Sequence, residues 1–195
     1  MINQYLIALG SNLGDSSTFL IEGVKLLREE ISGNLVALSP LFETDPVGGV
    51  ADRIFLNAAA LFHCKLEPEK FLQTLLSVES RFGRTRAVRW DNRTLDLDIL
   101  LWRSHHHNCA AIESVSLSIP HPRMLERDFM LLPATVIAPH WIHPHTHNSL
   151  QQECLLREYR PLRPFINKNW QILMNLSHPL ATTTESQPLQ TPPSY

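Results

Sequence analysis

Arg84-Thr85-Arg86-Ala87-Val88-Arg89-Trp90-Asp91-Asn92-Arg93-Thr94-Leu95-Asp96-Leu97-Asp98-Ile99-Leu100-Leu101-Trp102 is the most informative stretch of this chain. Its first ten residues carry four arginines, and an apolar run interrupted only by Asp96 and Asp98 follows them. The length of that run predicts a strand over residues 95–102. Because residues i and i+2 of a strand project from the same face, the two aspartates share one side and the alternate apolar side chains take the other.

Two ionised carboxylates side by side in an apolar strand are unfavourable. They repel each other, and dehydrating them costs on the order of several kcal/mol unless a partner compensates. Magnesium is a suitable partner because it takes one or two carboxylates together with substrate phosphates, and the neighbouring guanidinium groups bind phosphate in bidentate fashion. The stretch therefore predicts a magnesium–nucleotide site. If the strand is considered without the arginines, the simpler alternative is a pair of edge-strand aspartates that face water or an arginine. The four arginines upstream favour the metal–phosphate site over that alternative.

The composition limits the possible functions. The chain has 195 residues, which predicts one domain with appendages, and its net charge of −2 gives no overall basic field for nucleic acid. No apolar run is long enough for a membrane span, and the N-terminal apolar run is interpreted as a strand, not a signal peptide. The three cysteines, Cys64, Cys109 and Cys154, form no CxxC pair. Free thiols in a reducing cytoplasm are expected.

The order of apolar patterns predicts the fold class. Apolar runs at residues 2–9, 35–43 and 54–62 predict three strands ahead of the strand at 95–102. Helical periodicity lies between the first and second runs and again from Pro68 to Phe82. The order β-α-β-β-α-β predicts an α+β ferredoxin-like plait, an antiparallel sheet with helices on one face, followed by a C-terminal extension.

The remaining chain is divided by its composition. Residues 1–147 are predicted to form the main domain, residues 148–178 an extension without assigned structure, and residues 179–195 a disordered tail rich in Ser, Thr, Pro and Gln. A further helix is predicted at about 125–137. Alternating histidines at positions 140–147 suggest zinc, but Pro144 interrupts them and no nearby cysteine or carboxylate completes a ligand set, so a solvated surface tract is expected.

A series of motifs, in chain order, resembles the family of 6-hydroxymethyl-7,8-dihydropterin pyrophosphokinases (2-amino-4-hydroxy-6-hydroxymethyldihydropteridine diphosphokinases). The block Arg93-Thr94-Leu95-Asp96-Leu97-Asp98 is the most specific of them. The other matching segments are Ala-Leu-Gly-Ser-Asn-Leu-Gly-Asp at 8–15, Glu-Thr-Asp-Pro-Val-Gly at 43–48, Phe-Leu-Asn-Ala-Ala at 55–59, Gly-Arg-Thr-Arg at 83–86, Ile-Pro-His-Pro-Arg-Met at 119–124 and Arg-Asp-Phe-Met-Leu at 127–131.

The resemblance implies a transferase of folate biosynthesis. ATP would give its pyrophosphoryl group to the hydroxymethyl oxygen of 6-hydroxymethyl-7,8-dihydropterin, and AMP would leave. Two Mg²⁺ ions would bind with ATP. The expected partners are these two small substrates, without nucleic acid or membrane, and the expected state is a cytoplasmic monomer.

The resemblance also implies roles for individual positions of this chain. Asp96 and Asp98 look like the Mg²⁺ ligands, and Arg84 and Arg93 like the catalytic arginines. The positions that look like ATP contacts are Glu79, Arg86, Arg89, Ile99, Ser118, His121 and Arg127. The positions that look like the pterin pocket are Thr44, Val47, Phe55, Asn57, Trp90 and Phe129, with the two phenylalanines as stacking faces.

One departure from the family pattern lies in the opening stretch. The family usually has Gly-Pro where this chain has Asp91-Asn92, and Asp91 places a negative charge beside phosphate-binding arginines. Weaker ATP binding or slower loop closure is predicted, not loss of function. The alternative is a catalytically weakened or non-catalytic plait that binds nucleotide or pterin. An RNA-binding plait is disfavoured, because such a module needs exposed aromatic residues on its third strand and this chain lacks that pattern.

Overall fold

A computed structural model describes residues 1–46, 52–83, 92–104 and 108–177. The strands are β1 (Asn3–Ser11), β2 (Asn34–Leu38), β3 (Leu41–Thr44), β4 (Phe55–Cys64), β5 (Asp96–Ser104), β6 (Ile112–Glu113), β7 (Ser118–Ile119) and β8 (Arg163–Phe165). The helices are α1 (Ser16–Glu30), α2 (Pro68–Arg81), α3 (Asp128–Ile137), α4 (Leu150–Leu155) and α5 (Lys168–Ser177). Among these helices, none is both long enough and apolar enough to cross a membrane.

The main sheet is antiparallel, and β1 is central between β5 and β4. On its far edge, β4 pairs with both β2 and β3. The single strand expected at 35–43 is therefore broken, and the break falls at Ser39-Pro40. Proline cannot donate a ladder hydrogen bond, and the Ser39 hydroxyl there accepts one from the Ala59 amide at 2.9 Å. With β2 and β3 as one interrupted strand, the predicted ferredoxin-like plait is confirmed.

The helices α1 and α2 cover one face of the sheet. Asp15 caps α1, since its carboxylate accepts a hydrogen bond from the Thr18 amide at 3.1 Å, and Pro68 occupies the first position of α2. The apolar stripes of both helices pack on every second residue of β1, namely the side chains that point towards the helices. One of them is Tyr5, whose ring stacks on that of Phe71 with the ring centres 3.8 Å apart. This core is the hydrophobic layer that the helical periodicity predicts.

The opposite face of the sheet is covered by the chain that follows β7. The helix expected at about 125–137 begins as a 3-10 turn, Met124–Glu126, and continues as α3 after an extended Arg127. Leu131 and Ala134 of α3 pack against Leu6 and the neighbouring strands to form a second buried cluster. Both faces of β1 are therefore buried, which explains why its residues 5–11 are apolar or small.

The C-terminal extension, left without assigned structure by the sequence, packs on the edge of the sheet. β8 pairs with β3 in antiparallel register, with Arg163 opposite Glu43. Trp170 of α5 is buried, and its indole nitrogen donates a hydrogen bond to the Ser39 carbonyl at 2.9 Å. The extension thus fills the break between β2 and β3 and covers the exposed edge of β3.

Candidate active site

The start of β5 presents the two aspartates as the alternation predicts. Leu95, Leu97 and Ile99 are buried beneath the helices, whereas Asp96 and Asp98 are only partly buried on the opposite side of the strand. In the sheet, Asp96 lies opposite Gly10 of β1, and Asp98 lies opposite Ala8. The two carboxylates therefore stand side by side near the end of the central strand.

Arg93 is held against this carboxylate pair. Its guanidinium Nη1 donates a hydrogen bond to Asp96 Oδ2. Its main chain is held by Asn12, the residue that follows β1. The Arg93 amide donates to Asn12 Oδ1 at 2.7 Å, and the Arg93 carbonyl accepts from the Asn12 amide at 3.0 Å. A cation is thereby placed beside the predicted metal ligands.

Arg127 and His121 lie close enough to Asp96 for its charge to affect the pKa of both. Burial lowers the pKa of Arg127, with a smaller contribution from Arg123 and an opposing one from Asp98 and Asp96. Burial also lowers the pKa of His121, to about 4, and Arg127 adds to that shift while Asp96 opposes it. The His121 ring is therefore neutral near pH 7.

The neutral His121 ring has a defined polarity. Its Nδ1 accepts a hydrogen bond from the Arg123 amide at 3.1 Å. An accepting nitrogen carries no hydrogen, so the ring hydrogen lies on Nε2. His121 thus offers one N–H donor. With Ser118 it lines a cavity of about 530 Å³.

The predicted pterin residues Thr44, Phe55 and Asn57 meet where β3 and β4 pair. Thr44 lies opposite Phe55 in the register, and the Asn57 side-chain amide donates to the Thr44 hydroxyl at 2.7 Å. Asn57 is only 4% exposed. This bond aims the Asn57 carbonyl oxygen away from Thr44, towards β1, so the polar group is fixed and not free to rotate.

Gly10 joins the two halves of the site. In the register it lies opposite Asn57 on one side and Asp96 on the other. A Cβ at this position would be 3.2 Å from Asn57 Oδ1 and 3.8 Å from the Asp96 Cβ. A side chain there would crowd both groups, so the absence of one lets the amide and the carboxylate approach.

Phe129 begins the second face of the predicted pterin pocket. It lies in the first turn of α3, with the Arg127 guanidinium carbon 5.5 Å from its ring centre, within cation–π range. With Thr44 and Arg127 it lines a cavity of about 840 Å³, and residues 157–163 of the extension also line this cavity.

Two predicted ATP contacts have side chains inside the molecule. Glu79 is 1% exposed, and its Oε1 accepts a hydrogen bond from the Leu97 amide at 2.8 Å, which ties α2 to β5. The Ile99 side chain lies in the core beneath the helices, so only its main chain can reach a ligand. Ser118 donates to Glu113 at 2.8 Å. The nucleotide contacts of all three stay predictions.

Some predicted residues cannot be placed, and some residues of interest were missed. Five predicted positions lie outside the described residues: Val47, Arg84, Arg86, Arg89 and Trp90. No role was predicted for Gly10 or Asn12 beyond their place in the matching segment at 8–15. The matching Gly-Ser-Asn segment was the available signal, but its contacts are long-range and no spacing rule reveals them.

The donor set at β5 fits magnesium. Asp96 and Asp98 are paired hard oxygen donors at a partly accessible position, as Mg²⁺ requires when substrate phosphates and water complete its shell. Over the described ranges there is no group of three or more His, Cys, Asp or Glu side chains arranged to hold a metal. A magnesium ion that binds together with a nucleotide needs no such group.

The histidine tract differs from the expected solvated surface. His145 and His147 are exposed, but His143 is only 5% exposed. Its Nδ1 accepts a hydrogen bond from the Thr146 amide at 3.4 Å, and burial lowers its pKa to about 4. The expectation was wrong for His143 because the turn folds back onto α4, where Thr146 also bonds the buried Glu153.

Sequence comparisons find clear relatives. Residues 6–139 match the family model described as 7,8-dihydro-6-hydroxymethylpterin-pyrophosphokinase (HPPK). A 2-amino-4-hydroxy-6-hydroxymethyldihydropteridine pyrophosphokinase of Bacillus subtilis is 43% identical over 137 residues, which cover 70% of this chain and 79% of the relative. A protein of the same name from Porphyromonas gingivalis is 36% identical, with coverage of 71% and 92%.

Structure comparisons agree on the fold. A crystal structure of an HPPK-DHPS in complex with substrates matches with a TM-score of 0.59 at 14% identity, covering 78% of this chain. The wild-type HPPK-DHPS of Plasmodium falciparum with pteroate also gives a TM-score of 0.59. This chain spans 43% and 42% of those two chains. At such identity the likeness concerns the fold of that part alone.

Proposed function

The chain belongs to the 7,8-dihydro-6-hydroxymethylpterin-pyrophosphokinase family, and we propose that Gly10 is the point at which its two substrates meet. The protein is a pyrophosphokinase of folate biosynthesis. It transfers the pyrophosphoryl group of ATP to the hydroxymethyl group of 6-hydroxymethyl-7,8-dihydropterin and releases AMP. The hydroxymethyl oxygen forms a bond to the β-phosphorus while the bond from that phosphorus to the α,β-bridging oxygen breaks.

Arg93, Arg127 and His121 form the phosphate end of the site. Phosphoryl-type transfer needs in-line positioning and charge stabilisation more than covalent catalysis. Arg93 and Arg127 supply positive charge where negative charge develops on the leaving AMP and the transferred group. The neutral His121 adds an N–H donor that stays available across the physiological pH range, since its pKa is about 4.

Asp96 and Asp98 are the residues that would hold the two Mg²⁺ ions that accompany ATP. Bound magnesium supplies positive charge to the triphosphate and polarises the incoming hydroxyl. What the chain itself contributes is the alternation of β5, which keeps both carboxylates on the side of the sheet that carries Arg127 and His121. The charge effects on Arg127 from both aspartates support this grouping.

Asn57, Phe55 and Phe129 form the pterin end of the site. A flat heterocycle is bound by aromatic faces, and its edge by a group with donor and acceptor atoms. Asn57 has both, and its bond to Thr44 fixes which atom faces the ligand. The cavity beside Phe129 gives the ring a place to enter.

The observation that carries the proposal is the position of Gly10. It separates Asn57, which would orient the pterin, from Asp96, which would hold the metal, by the width of a single strand. Adjacent strands lie about 4.8 Å apart, so Asn57 and Asp96, which are two spacings apart, lie about 10 Å from each other across the sheet. A pterin bound at Asn57 and the triphosphate of a nucleotide bound at Asp96 can span that distance between them. A monomeric state and a cytoplasmic location stay predictions.

The test uses the intact protein with ATP, Mg²⁺ and 6-hydroxymethyl-7,8-dihydropterin. We expect AMP to form only when all three are present, and we expect Asp96→Ala and Asp98→Ala to abolish its formation while circular dichroism shows a folded protein. Absence of AMP from the wild-type protein at saturating substrates would reject the function. Full activity in either aspartate variant would reject the metal assignment alone. ATP binding without turnover would support the non-catalytic alternative.

A further inference from the structure

Asn12 forms a buried junction between three parts of the chain. Its side chain is 4% exposed, and its Oδ1 accepts a hydrogen bond from the Arg93 amide at 2.7 Å. Its Nδ2 donates to Asn92 Oδ1 at 2.6 Å and is 3.4 Å from the Arg53 carbonyl. Both polar side-chain atoms of Asn12 therefore have hydrogen-bond partners, and two of these partners are the consecutive residues 92 and 93.

Asn92 extends this junction outward. Its Nδ2 donates to Asp52 Oδ1 at 3.1 Å while its Oδ1 accepts from Asn12. The Asp52 carboxylate is largely exposed, so its bond is screened by water and weak. The bond to Asn12 is short and shielded from water, which makes it the stronger of the two.

The residue type at position 92 is what makes these bonds possible. The pattern that this chain resembles usually has proline here, and proline has neither a side-chain amide nor a backbone N–H. Proline fixes its backbone through its ring. Asn92 has no such restriction, and its backbone is instead fixed by the side-chain bonds to Asn12 and Asp52.

We propose that Asn92 is a positioning residue for Arg93: its side-chain amide, held by the buried Asn12, fixes the main chain that presents the Arg93 guanidinium to the phosphate site. The role rests on the proposed function, because it acts through Arg93. Asn12 bonds both the Asn92 side chain and the Arg93 amide, so loss of the Asn92 bond removes one of the two contacts that hold this pair of residues in place. The guanidinium keeps its charge and its bond to Asp96, but the main chain that directs it towards a bound phosphate is held less firmly.

The test is a double-mutant cycle on turnover. Asn92→Ala is expected to lower kcat about tenfold, because a misdirected cation stabilises the transition state less well. Its KM for the pterin should stay within about twofold, since Asn57 and Phe129 are untouched. In an Arg93→Ala background the same Asn92→Ala change should lower kcat less than about twofold, because the group it positions is already gone.

Controls separate positioning from loss of structure. Asn175→Ala, an asparagine exposed on α5, should leave kcat unchanged. Asn12→Asp keeps the acceptor for the Arg93 amide but not the donor for Asn92, so it should reproduce the kcat loss of Asn92→Ala. Because a buried carboxylate that faces two acceptor oxygens lowers stability, its kcat is measured at a temperature at which circular dichroism shows the variant folded. Equal losses in the wild-type and Arg93→Ala backgrounds, or wild-type kcat in Asn92→Ala, would overturn the positioning role. Wild-type turnover is measured first, because its absence overturns the proposed function itself.

Discussion

The Arg93 guanidinium donates a hydrogen bond to the Asp96 carboxylate three residues along the chain, so the cation proposed to bind phosphate and the carboxylate proposed to bind metal neutralise each other. Both groups are partly buried, and each keeps the other from being an isolated charge. When ATP and magnesium bind, each can exchange this partner for a stronger one of opposite charge. Under the proposed function, the pair would therefore link nucleotide binding to metal binding.

Removal of the Arg93 cation should affect catalysis far more than stability. We expect Arg93→Ala to lower kcat by about 10²–10³-fold, the range for loss of one preorganised donor to a developing negative charge. Because a partly exposed ion pair contributes only about 0–1 kcal/mol, the free energy of unfolding should change little. Arg81→Ala, which removes an exposed ion pair with Glu30, is the matched control and should leave kcat unchanged. Similar kcat values for the two variants would refute the catalytic role.

A methyl group at Gly10 should weaken pterin binding. Its Cβ would lie 3.2 Å from Asn57 Oδ1, so the amide must shift by a few tenths of an ångström. We expect the pterin KM of Gly10→Ala to rise about tenfold, which corresponds to one lost hydrogen bond, with a smaller change for ATP.

The neighbouring Ser11 supplies the control for that substitution. Its buried hydroxyl has no hydrogen-bond partner in the part of the chain that the structure describes. Ser11→Ala should therefore leave stability and both KM values close to wild type, because no bond is lost. If Gly10→Ala keeps the wild-type pterin KM, the pterin does not sit against Asn57.

Glu79 should be needed for stability through its acceptor oxygen. Glu79→Ala leaves the buried Leu97 amide without its acceptor, at an expected cost of about 2 kcal/mol in the free energy of unfolding. Glu79→Gln keeps an oxygen at the same position and should restore most of that loss. Urea unfolding measures both. Wild-type stability in the alanine variant would show that the bond contributes nothing, and a raised ATP KM in the glutamine variant would support the predicted nucleotide contact.

His143 should make stability depend on pH in the acid range. Burial lowers its pKa to about 4 in the folded chain, against an ordinary value of about 6.5 when unfolded. Between these values the unfolded chain binds a proton that the folded chain does not, so the free energy of unfolding falls as the pH drops. The slope is at most about 1.4 kcal/mol per pH unit.

The variant that isolates this contribution is His143→Gln, which cannot take up the proton. Unfolding measured at intervals from pH 7 to pH 4.5 should show a shallower acid loss than in wild type, with the difference appearing below about pH 6.5. Parallel curves would mean that His143 does not titrate with the predicted shift.

The sequence predicted those features that depend on local alternation and element order. Asp96 and Asp98 share a face because the strand period is two, and the plait follows from the order of helices and strands. The break at Ser39 was missed because the polar residue lies inside an apolar run, and it is completed by Trp170, 131 residues away. Contacts over that distance leave no periodic signal.

The candidate site was predicted to a similar extent. Residues with characteristic chemistry, such as Arg93 and Asn57, were predicted from their types and from resemblance, and their roles stay predictions. Gly10 and Asn12 were not, because a glycine that acts by lacking a side chain and an asparagine that joins distant segments have meaning only in three dimensions. The burial of Glu79 and His143 depends likewise on what packs over them.

The most direct test of the central claim is to count the phosphorus atoms that are transferred to the pterin and those that remain on the nucleotide. Phosphorus NMR of a completed reaction of the wild-type protein with ATP, Mg²⁺ and 6-hydroxymethyl-7,8-dihydropterin resolves AMP, ADP and the phosphorylated pterin. Transfer across Gly10 of a two-phosphorus group predicts AMP and a pterin diphosphate in equal amounts, with no ADP. Formation of ADP with a pterin monophosphate, or of AMP without any phosphorylated pterin, would contradict it.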